Sequence, residues 1–410
     1  MTASLTCRFC KAPLSTSMAD LGSTPLSNSY LKESDLERME PTYPLHARVC
    51  GECFLVQLEA FESPQHIFSD YLYFSSYSDS WLAHAKAYAD KTSKRFGLGG
   101  AHRVIEIASN DGYLLRWFKD LGVKVLGIEP AANVAKVAEE NGIPSRVLFF
   151  GKETARLLAD AGETADLMAA NNVLAHVPDL NDFIGGFPIV LNPEGVLTFE
   201  FPHLLQLMIH RQFDTIYHEH FSYLSLLTVA RMVEAHGLRV FDVEELPTHG
   251  GSLRVYVCHK QAAHAESPAV GALIAREKEF GLADLKRYAA FQEEVKAVKR
   301  DLLEFLIRAK REGKSVAGYG APAKGNTLMN YCGIRQDFID FTVDRSPHKQ
   351  NTWLPGTRIP VSAPDRIREE KPDYLLILPW NLKDEVMKQM ADIRAWGGKF
   401  VVPIPTVQVL

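Results

Sequence analysis

The sequence predicts an α/β protein in which two sheets of parallel strands follow a small amino-terminal module. Strand-like and helical runs alternate between residues 103 and 200, and the same alternation restarts after residue 315. This rhythm is typical of parallel sheets covered by helices on both faces. Residues 1–70 differ, because frequent prolines and two cysteine pairs leave little material for a core. We therefore expect three parts, comprising residues 1–70, 71–262 and 263–410.

The pattern of apolar residues predicts the individual elements. A helix is expected over residues 80–96, and residues 265–312 are expected to be mainly helical. Helices are also expected to begin at Gly112 and Ala131, each directly after a strand. Short apolar runs bounded by turn residues predict the strands. The predicted strands are 103–108, 123–129, 165–171, 195–200, 315–320, 338–344, 374–378 and 399–402.

Length and composition exclude several classes of protein. The chain has 410 residues, 46% of them hydrophobic, with a net charge of −5, and it can bury two or three cores. The absence of Lys/Arg runs argues against nucleic-acid binding. No apolar run reaches the ~20 residues that span a bilayer, and residues 1–7 do not resemble a signal peptide. Because Cys258 and Cys332 are isolated and the other four cysteines form close pairs, we expect a reduced, cytoplasmic protein.

The amino-terminal module carries the pattern of a closed metal site. Cys7 and Cys10 form one Cys-x-x-Cys pair, Cys50 and Cys53 form another, and 39 residues separate the pairs. Two such pairs supply four thiolates to one tetrahedral ion, so the metal would be structural rather than catalytic. Zn²⁺ is favoured because nothing in the sequence suggests electron transfer, although a four-cysteine site can also hold iron.

Residues 106–112 are predicted to form a nucleotide-binding loop between a strand and a helix. Gly112 permits close approach of a ligand to the backbone, whereas Ala108 stands where many such loops have glycine. Glu106 and Asn110 belong to the same loop, and Glu129 ends the next strand, where a carboxylate can accept hydrogen bonds from two ribose hydroxyls. NAD would fit the same geometry. The absence of a full Gly-x-Gly-x-x-Gly pattern favours S-adenosylmethionine (SAM).

Tyr217, His218, Glu219 and His220 form a dense cluster of groups that can move protons. An imidazole titrates near neutral pH and is a suitable base. If the segment is extended, both histidines share one face, so geometry does not choose between them. A metal site is a further alternative, but ligands at positions i and i+2 would need partners from elsewhere.

A second candidate ligand loop begins at Gly318 and lies between a predicted strand and a predicted helix. Its glycines permit close backbone approach, and Lys324 supplies positive charge for a diphosphate. We expect Lys324, Asn326 and Thr327 to bind substrate. The alternative is a plain turn with a solvated lysine. Trp380 could stack on a base or merely cover the sheet.

These motifs occur in one order along nearly the whole chain. After the cysteine pairs come residues 106–114, 127–131, 171–176, 217–223, 249–254 and 318–327. The order is similar to that of the SAM-dependent sugar C-3′-methyltransferases of deoxysugar biosynthesis. The resemblance implies a zinc-binding module, a central Rossmann-like SAM domain, and a helical linker with a smaller Rossmann-like domain that holds a nucleotide-sugar. Ala108 is the chief departure from the family pattern.

The resemblance implies that the substrate is a nucleotide-linked 4-keto-6-deoxysugar, with thymidine diphosphate as the expected carrier and guanosine as the alternative. Methylation at carbon needs a carbanion-like nucleophile, which a base can generate beside a ketone as an enolate. The resemblance selects His220 rather than His218 as that base. Glu219 would orient a substrate group or tune a histidine, and Tyr217 would donate toward the keto oxygen or assist proton transfer.

The resemblance also adds Tyr71 and His176 to the expected catalytic residues. Packed aromatic and histidine side chains are the alternative for both. His176 follows Asn171 and Asn172, which are expected to contact the cofactor at a strand end, where open α/β sheets bind ligands. Three other functions stay open: O- or N-methylation of a similar nucleotide-sugar, ligand binding without catalysis, and a nicotinamide-dependent dehydrogenase. We expect a monomer without nucleic-acid or membrane partners.

Overall fold

The computed structural model describes residues 5–61, 75–77 and 79–410. Its strands form three sheets, one in the amino-terminal module and one in each of two larger α/β domains. The described residues thus have the three-part architecture that the sequence predicts.

The amino-terminal module is a four-stranded antiparallel sheet in which the last strand comes from a distant part of the chain. Its order is β1-β2-β3-β9. The strands are β1 (Thr16–Thr24), β2 (Tyr43–Val49), β3 (Val56–Gln57) and β9 (Ser222–Tyr223). Because β9 follows directly on the Tyr217–His220 cluster, the module and the cluster are joined by backbone hydrogen bonds.

The central domain has a seven-stranded sheet of order β10-β11-β8-β7-β4-β5-β6. Its strands are β4 (Arg103–Ile107), β5 (Lys124–Ile128), β6 (Ser145–Arg146), β7 (Ala165–Asn171), β8 (Leu191–Pro202), β10 (Leu238–Leu246) and β11 (Ser252–His259). Its helices are α1 (Asp79–Phe96), α2 (Leu115–Asp120), α3 (Ala132–Glu140), α4 (Lys152–Asp160), α5 (Leu180–Val190), α6 (Leu204–Ile209) and α7 (Leu226–Ala235).

The expectation of a purely parallel central sheet is wrong at one edge. Strand β11 runs antiparallel to both β8 and β10. A short turn at residues 247–251 joins β10 to β11, and a connection of that length can only return the chain antiparallel. The inner strands follow the prediction: Leu167 to Ala170 of β7 are all fully buried, as expected for a parallel strand covered on both faces.

The carboxy-terminal domain follows two helices, α8 (Pro268–Phe280) and α9 (Leu285–Arg311). Its sheet has the order β14-β15-β13-β12-β16-β17-β18. The strands are β12 (Val316–Tyr319), β13 (Thr342–Val343), β14 (Thr352–Trp353), β15 (Pro360–Ser362), β16 (Tyr374–Ile377), β17 (Lys399–Val402) and β18 (Gln408–Val409). The helices are α10 (Ala323–Cys332), α11 (Arg366–Glu370) and α12 (Lys383–Gln389).

Candidate active site

The proton-moving cluster lies where all three parts of the chain meet. The segment that carries it, residues 213–223, is called the central segment below. It begins in a single 3-10 turn, Phe213–Thr215, and ends in β9, which pairs with β3 of the amino-terminal module. From the carboxy-terminal domain, Trp380 Nε1 donates a 2.7 Å hydrogen bond to Asp214 Oδ2. The central segment is therefore held from both sides.

His220 is a neutral imidazole with a defined tautomer. Burial, together with the neighbouring His176, holds its pKa well below the ordinary value. Its Nδ1 lies 3.2 Å from the carbonyl oxygen of Thr215, which can only accept, so Nδ1 carries the proton. Nε2 is then a lone pair, and the Tyr217 hydroxyl donates to it over 2.9 Å. His220 is partly accessible to solvent, so the Nε2 lone pair of this base lies on the accessible side of the central segment.

His176 packs edge-on against the candidate base, with 4.7 Å between the centres of the two rings. Its Nδ1 donates to the backbone carbonyl of Glu219 over 2.8 Å, and burial lowers the pKa of His176 to about 4. The Glu219 carboxylate accepts a 2.7 Å hydrogen bond from Asn28 of the amino-terminal module. Burial raises the pKa of Glu219. His176, Glu219 and His220 therefore form one contact group.

His218 points away from this group. Its Nε2 lies 3.3 and 3.2 Å from the carbonyl oxygens of Tyr43 and Pro44, and its ring packs edge-on against the Tyr43 ring. The backbone is not extended here, because the N–H of His220 donates to the carbonyl of Tyr217 in a tight turn. The two histidines consequently face different neighbours, a separation that sequence geometry alone left open.

Lys324 lies near the same group of residues, and its positive charge contributes to the lowered pKa of His220. Its Nζ donates to Asn381 Oδ1 over 2.9 Å and lies 4.4 Å from the centre of the Trp380 ring. Burial lowers its pKa, and the carboxylate of Asp214 opposes that shift. The lysine is therefore not a freely solvated side chain on a plain turn.

Asn326 and Thr327 are almost completely buried. Asn326 donates to the backbone carbonyl of Ser27 over 2.6 Å, and Thr327 donates to that of Ile216 over 3.0 Å. Both side chains thus connect helix α10 to the amino-terminal module and the central segment. Any contact with a substrate would have to come from their backbone or from Asn326 Oδ1, which has no partner among the residues the structure describes.

The loop at residues 106–112 has a backbone that favours glycine at several positions. Ala108 and Asn110 both have positive φ, +56° and +50°, and Gly112 has φ +79°. A Cβ at Gly112 would also lie 2.9 Å from Ile143 Cγ1, so this position requires glycine. Ala108 therefore occupies a left-handed conformation that costs about 1–2 kcal/mol for an L-residue.

Glu129 closes this loop against the next strand. Its two carboxylate oxygens accept the backbone N–H groups of Asn110, over 2.9 Å, and Ala131, over 2.8 Å. A carboxylate oxygen has lone pairs for more than one donor. Ribose hydroxyls would therefore share Glu129 with the backbone.

Unsatisfied oxygens gather at the carboxyl ends of β4 and β7. The Oδ1 atom of Asn172 has no hydrogen-bond partner among the described residues. The side chains of the fully buried Glu106 and of Asn171 interact with the Tyr113 hydroxyl, whose single proton cannot satisfy all of their oxygens. Burial raises the pKa of Glu106 well above the ordinary value. Buried polar atoms without partners are rare in folded proteins and indicate a ligand or ordered water. The amino and hydroxyl groups of SAM have the chemistry to satisfy these oxygens.

The four cysteines of the amino-terminal module converge. Their sulfur atoms all lie within 4.8 Å of one another, with 3.6 Å between Cys7 and Cys53 and 3.4 Å between Cys10 and Cys50. A tetrahedral zinc ion with bonds of ~2.3 Å separates its sulfur ligands by about 3.8 Å. Gln57 Nε2 also donates to Cys7 Sγ over 3.2 Å, as an outer hydrogen bond to a ligand does. The site fits a closed structural zinc ion.

Comparison with known proteins agrees with this three-part arrangement. Models of a zinc binding domain, a methyltransferase domain and a C-methyltransferase C-terminal domain match residues 7–68, 80–243 and 247–405. The chain is 36% identical over 404 residues to the C-methyltransferase NovU of Streptomyces niveus, which covers 98% of this chain and 96% of that relative. The chain belongs to the C-methyltransferase family.

More distant similarities cover less than half of the chain. A ubiquinone biosynthesis O-methyltransferase of Rhodopseudomonas palustris is 30% identical over 108 residues, which is 26% of this chain and 43% of that protein. The crystal structure of magnesium protoporphyrin IX methyltransferase from Synechocystis PCC 6803 aligns with 14% identity and a TM-score of 0.35, covering 44% of this chain and 83% of that chain.

Family membership confirms part of the sequence-based interpretation. This C-methyltransferase is a SAM-dependent enzyme with a zinc-binding amino-terminal module. Enzymatic methyl transfer, rather than ligand binding without catalysis or nicotinamide chemistry, is therefore its activity. None of the helices in the described ranges is both long and apolar enough to cross a bilayer. Tyr71, predicted to be catalytic, lies outside the residues that the structure describes.

Three features of this C-methyltransferase site were missed from the sequence. Asn28 holds Glu219 from the zinc-binding module, and Asp214 pairs with Trp380 across a domain boundary. The third is the turn that carries His249. Residues 249–254 belong to the ordered set of motifs, but no role was predicted for His249. The partners in the first two pairs are 191 and 166 residues apart, and no local pattern connects positions so distant.

Proposed function

We propose that this enzyme methylates C3 of a nucleotide-linked 4-keto-6-deoxysugar, most simply a thymidine diphosphate sugar, through an enolate. The observation that carries the proposal is the neutral His220 imidazole, whose Nε2 lone pair is fixed where the three parts of the chain meet. Carbon acids beside a ketone need such a base, whereas oxygen and nitrogen acceptors already possess a lone pair. The 36% identical relative is a C-methyltransferase, which supports carbon as the acceptor.

The residues of the central segment divide the proton chemistry between them. The Tyr217 hydroxyl donates to His220 Nε2. When the sugar binds, we expect this hydroxyl to donate to the keto oxygen, so that Nε2 can accept the C3 proton. The electrons of the broken C–H bond pass to the oxygen as the enolate forms. A hydrogen-bond donor directed at an oxygen that gains negative charge stabilises the transition state more than it stabilises the ground state.

His176 and Glu219 would keep the base in place and neutral. The His176 ring contacts the His220 ring at its edge, and its hydrogen bond to the Glu219 carbonyl fixes the turn that carries the base. A second imidazolium beside His220 would be repelled, which favours two neutral rings. Tyr71 remains proposed as a further residue of this site, on the family resemblance alone.

The cofactor would lie on the loop at residues 106–112, with the carboxyl ends of β4 and β7 beneath it. SAM supplies the methyl group there as a sulfonium. We propose that the residues of this edge contact it; they are Glu106, Ala108, Asn110, Gly112, Glu129, Asn171 and Asn172. The backbone N–H groups of such a loop and the unsatisfied oxygens of its walls favour a ligand with both acceptors and donors.

The nucleotide end of the substrate would lie against the carboxy-terminal domain. Lys324 is the charged residue of the second loop, and a diphosphate is the group that a fixed ammonium would attract. Asn326 and Thr327 would contribute through the backbone at the start of helix α10, because their side chains already contact Ser27 and Ile216.

The experiment is proton exchange at C3 of dTDP-4-keto-6-deoxyglucose in D₂O, followed by NMR, with the guanosine diphosphate sugar as a second arm. Wild-type enzyme should exchange the C3 proton and transfer methyl from SAM. His220→Asn should abolish both activities. His218→Asn is the matched control, because this histidine is in the same segment but faces the amino-terminal module, and exchange should persist. Exchange that survives in His220→Asn would remove this residue as the base.

A further inference from the structure

The turn between β10 and β11 holds a histidine in a strained conformation. His249 has φ +56°, in the left-handed region that residues other than glycine rarely adopt. Strained backbone persists where the surrounding structure fixes it, and it concentrates at functional sites. The conformation of His249 therefore indicates that its imidazole has a function.

Neighbouring groups fix the position of this turn. Thr248 Oγ1 lies 3.4 Å from Glu200 Oε1, in a buried ion-pair network, and Gln212 Nε2 donates to the carbonyl of Gly250 over 2.7 Å. A Cβ at Gly250 would lie 2.6 Å from Trp380 Cη2, so the turn is pressed directly against the indole. These contacts hold the backbone of His249 between them.

The His249 ring lies between the cofactor loop and the central segment. On one side its ring centre is 5.4 Å from that of Trp81, which stacks 6.0 Å from the ring of Tyr113 at the end of the cofactor loop. On the other side the turn touches Trp380, the partner of Asp214 in the central segment. His249 is exposed to solvent, and no described residue makes a hydrogen bond to its ring.

We propose that His249 is a further catalytic residue, which donates an imidazole N–H to the sugar oxygen that becomes the enolate oxygen. The inference rests on the proposed function, because it assigns a contact to the same sugar. No bond of the imidazole breaks: the C3 proton passes to His220, the C–H electrons pass to the keto oxygen, and the N–H of His249 stabilises that charge. His249 would act together with the Tyr217 hydroxyl.

The electrostatic setting supports a neutral donor. Partial desolvation of the imidazole by surrounding protein atoms lowers the pKa of His249 to about 4, and the positive charge of Lys324 adds to the effect, while Glu200 opposes it. A neutral imidazole can donate a hydrogen bond to an enolate oxygen without protonating it, as a neutral electrophilic histidine does in other proton-transfer enzymes.

His249→Gly separates this role from a structural one, because glycine removes the imidazole and also relieves the left-handed backbone. We expect kcat and the rate of C3 exchange to fall by about 10²- to 10³-fold, the usual loss for one oxyanion donor. The melting temperature should be unchanged or higher, and the Kd for SAM unchanged. His249→Asn tolerates the same φ and keeps an N–H donor, so it should retain more activity than the glycine variant.

Lys371→Gly is the control. Lys371 also has positive φ, +48°, and is exposed at the end of helix α11 in the carboxy-terminal domain. It should gain stability without losing activity. If His249→Gly keeps kcat within threefold of wild type, or if its Kd for SAM and melting temperature worsen in step with kcat, the inference is wrong. If wild-type enzyme does not exchange the C3 proton at all, the proposed function fails first and the role of His249 fails with it.

Discussion

Replacing Trp380 with phenylalanine tests how the carboxy-terminal domain holds the central segment. The change keeps an aromatic ring at this position but removes the indole N–H that donates to Asp214 Oδ2 over 2.7 Å. Asp214 is fully buried, and its Oδ1 already has no partner among the described residues. The variant would therefore leave a buried carboxylate with the nearby charge of Lys324 but without its side-chain hydrogen bond.

The expected loss follows from the charge on Asp214. A hydrogen bond to a charged group contributes about 1.5–3 kcal/mol, whereas a neutral one contributes about 0.5–1.5 kcal/mol. Burial raises the pKa of Asp214 from 3.8 to about 6, so the folded protein binds this proton more tightly than the unfolded chain. The stability that protonation of Asp214 contributes is consequently lost as the pH rises from 3.8 to about 6. We expect Trp380→Phe to lose about 2–3 kcal/mol at pH 7.5 and about 1 kcal/mol at pH 5.

Urea unfolding followed by circular dichroism at the two pH values measures this loss. Trp396→Phe is the matched control, because its indole N–H donates over 3.1 Å to the neutral carbonyl of Pro372 in the same domain. It should lose about 1 kcal/mol at both pH values. C3 exchange should slow about tenfold in Trp380→Phe alone, since only that tryptophan contacts the central segment. Equal losses in the two variants, or a loss at Trp380 that does not depend on pH, would refute the reasoning.

Three further predictions concern the base, the cofactor loop and the zinc-binding module. Because the pKa of His220 lies well below its ordinary value, this base stays neutral in mild acid. The decline of kcat/KM on the acid side of the pH profile should therefore have its midpoint below pH 6.5. A midpoint above pH 6.5 would contradict the assignment of His220 as the base. Ala108→Gly should raise stability by up to about 1 kcal/mol in thermal unfolding, because it relieves a left-handed alanine; a lower melting temperature would show that the methyl group packs favourably. Removing zinc with a chelator should slow C3 exchange, because the module supplies Asn28 to Glu219, and Asn28→Ala should do so with zinc still bound; full activity of the metal-free enzyme would contradict this coupling.

Local sequence patterns were sufficient for the α/β elements and for the zinc site. A run such as residues 165–171 is apolar at consecutive positions because both faces of a parallel strand are buried. Two Cys-x-x-Cys pairs each form a tight turn by themselves, so their spacing alone indicates four convergent ligands. Strands β10 and β11 were not among the predicted strands, so the antiparallel edge that they form was missed as well.

The sequence by itself determined the alternation of strands and helices, the two cysteine pairs and the loop that we propose binds the cofactor, because each of these depends on residues close together in the chain. Only the tertiary structure decided which histidine packs against Tyr217 and His176. His220 and His218 are two residues apart, and they differ because a backbone turn sends one to Tyr217 and the other to the carbonyl of Pro44, 174 residues away. The roles of these side chains depend on neighbours that come together only when the three domains pack.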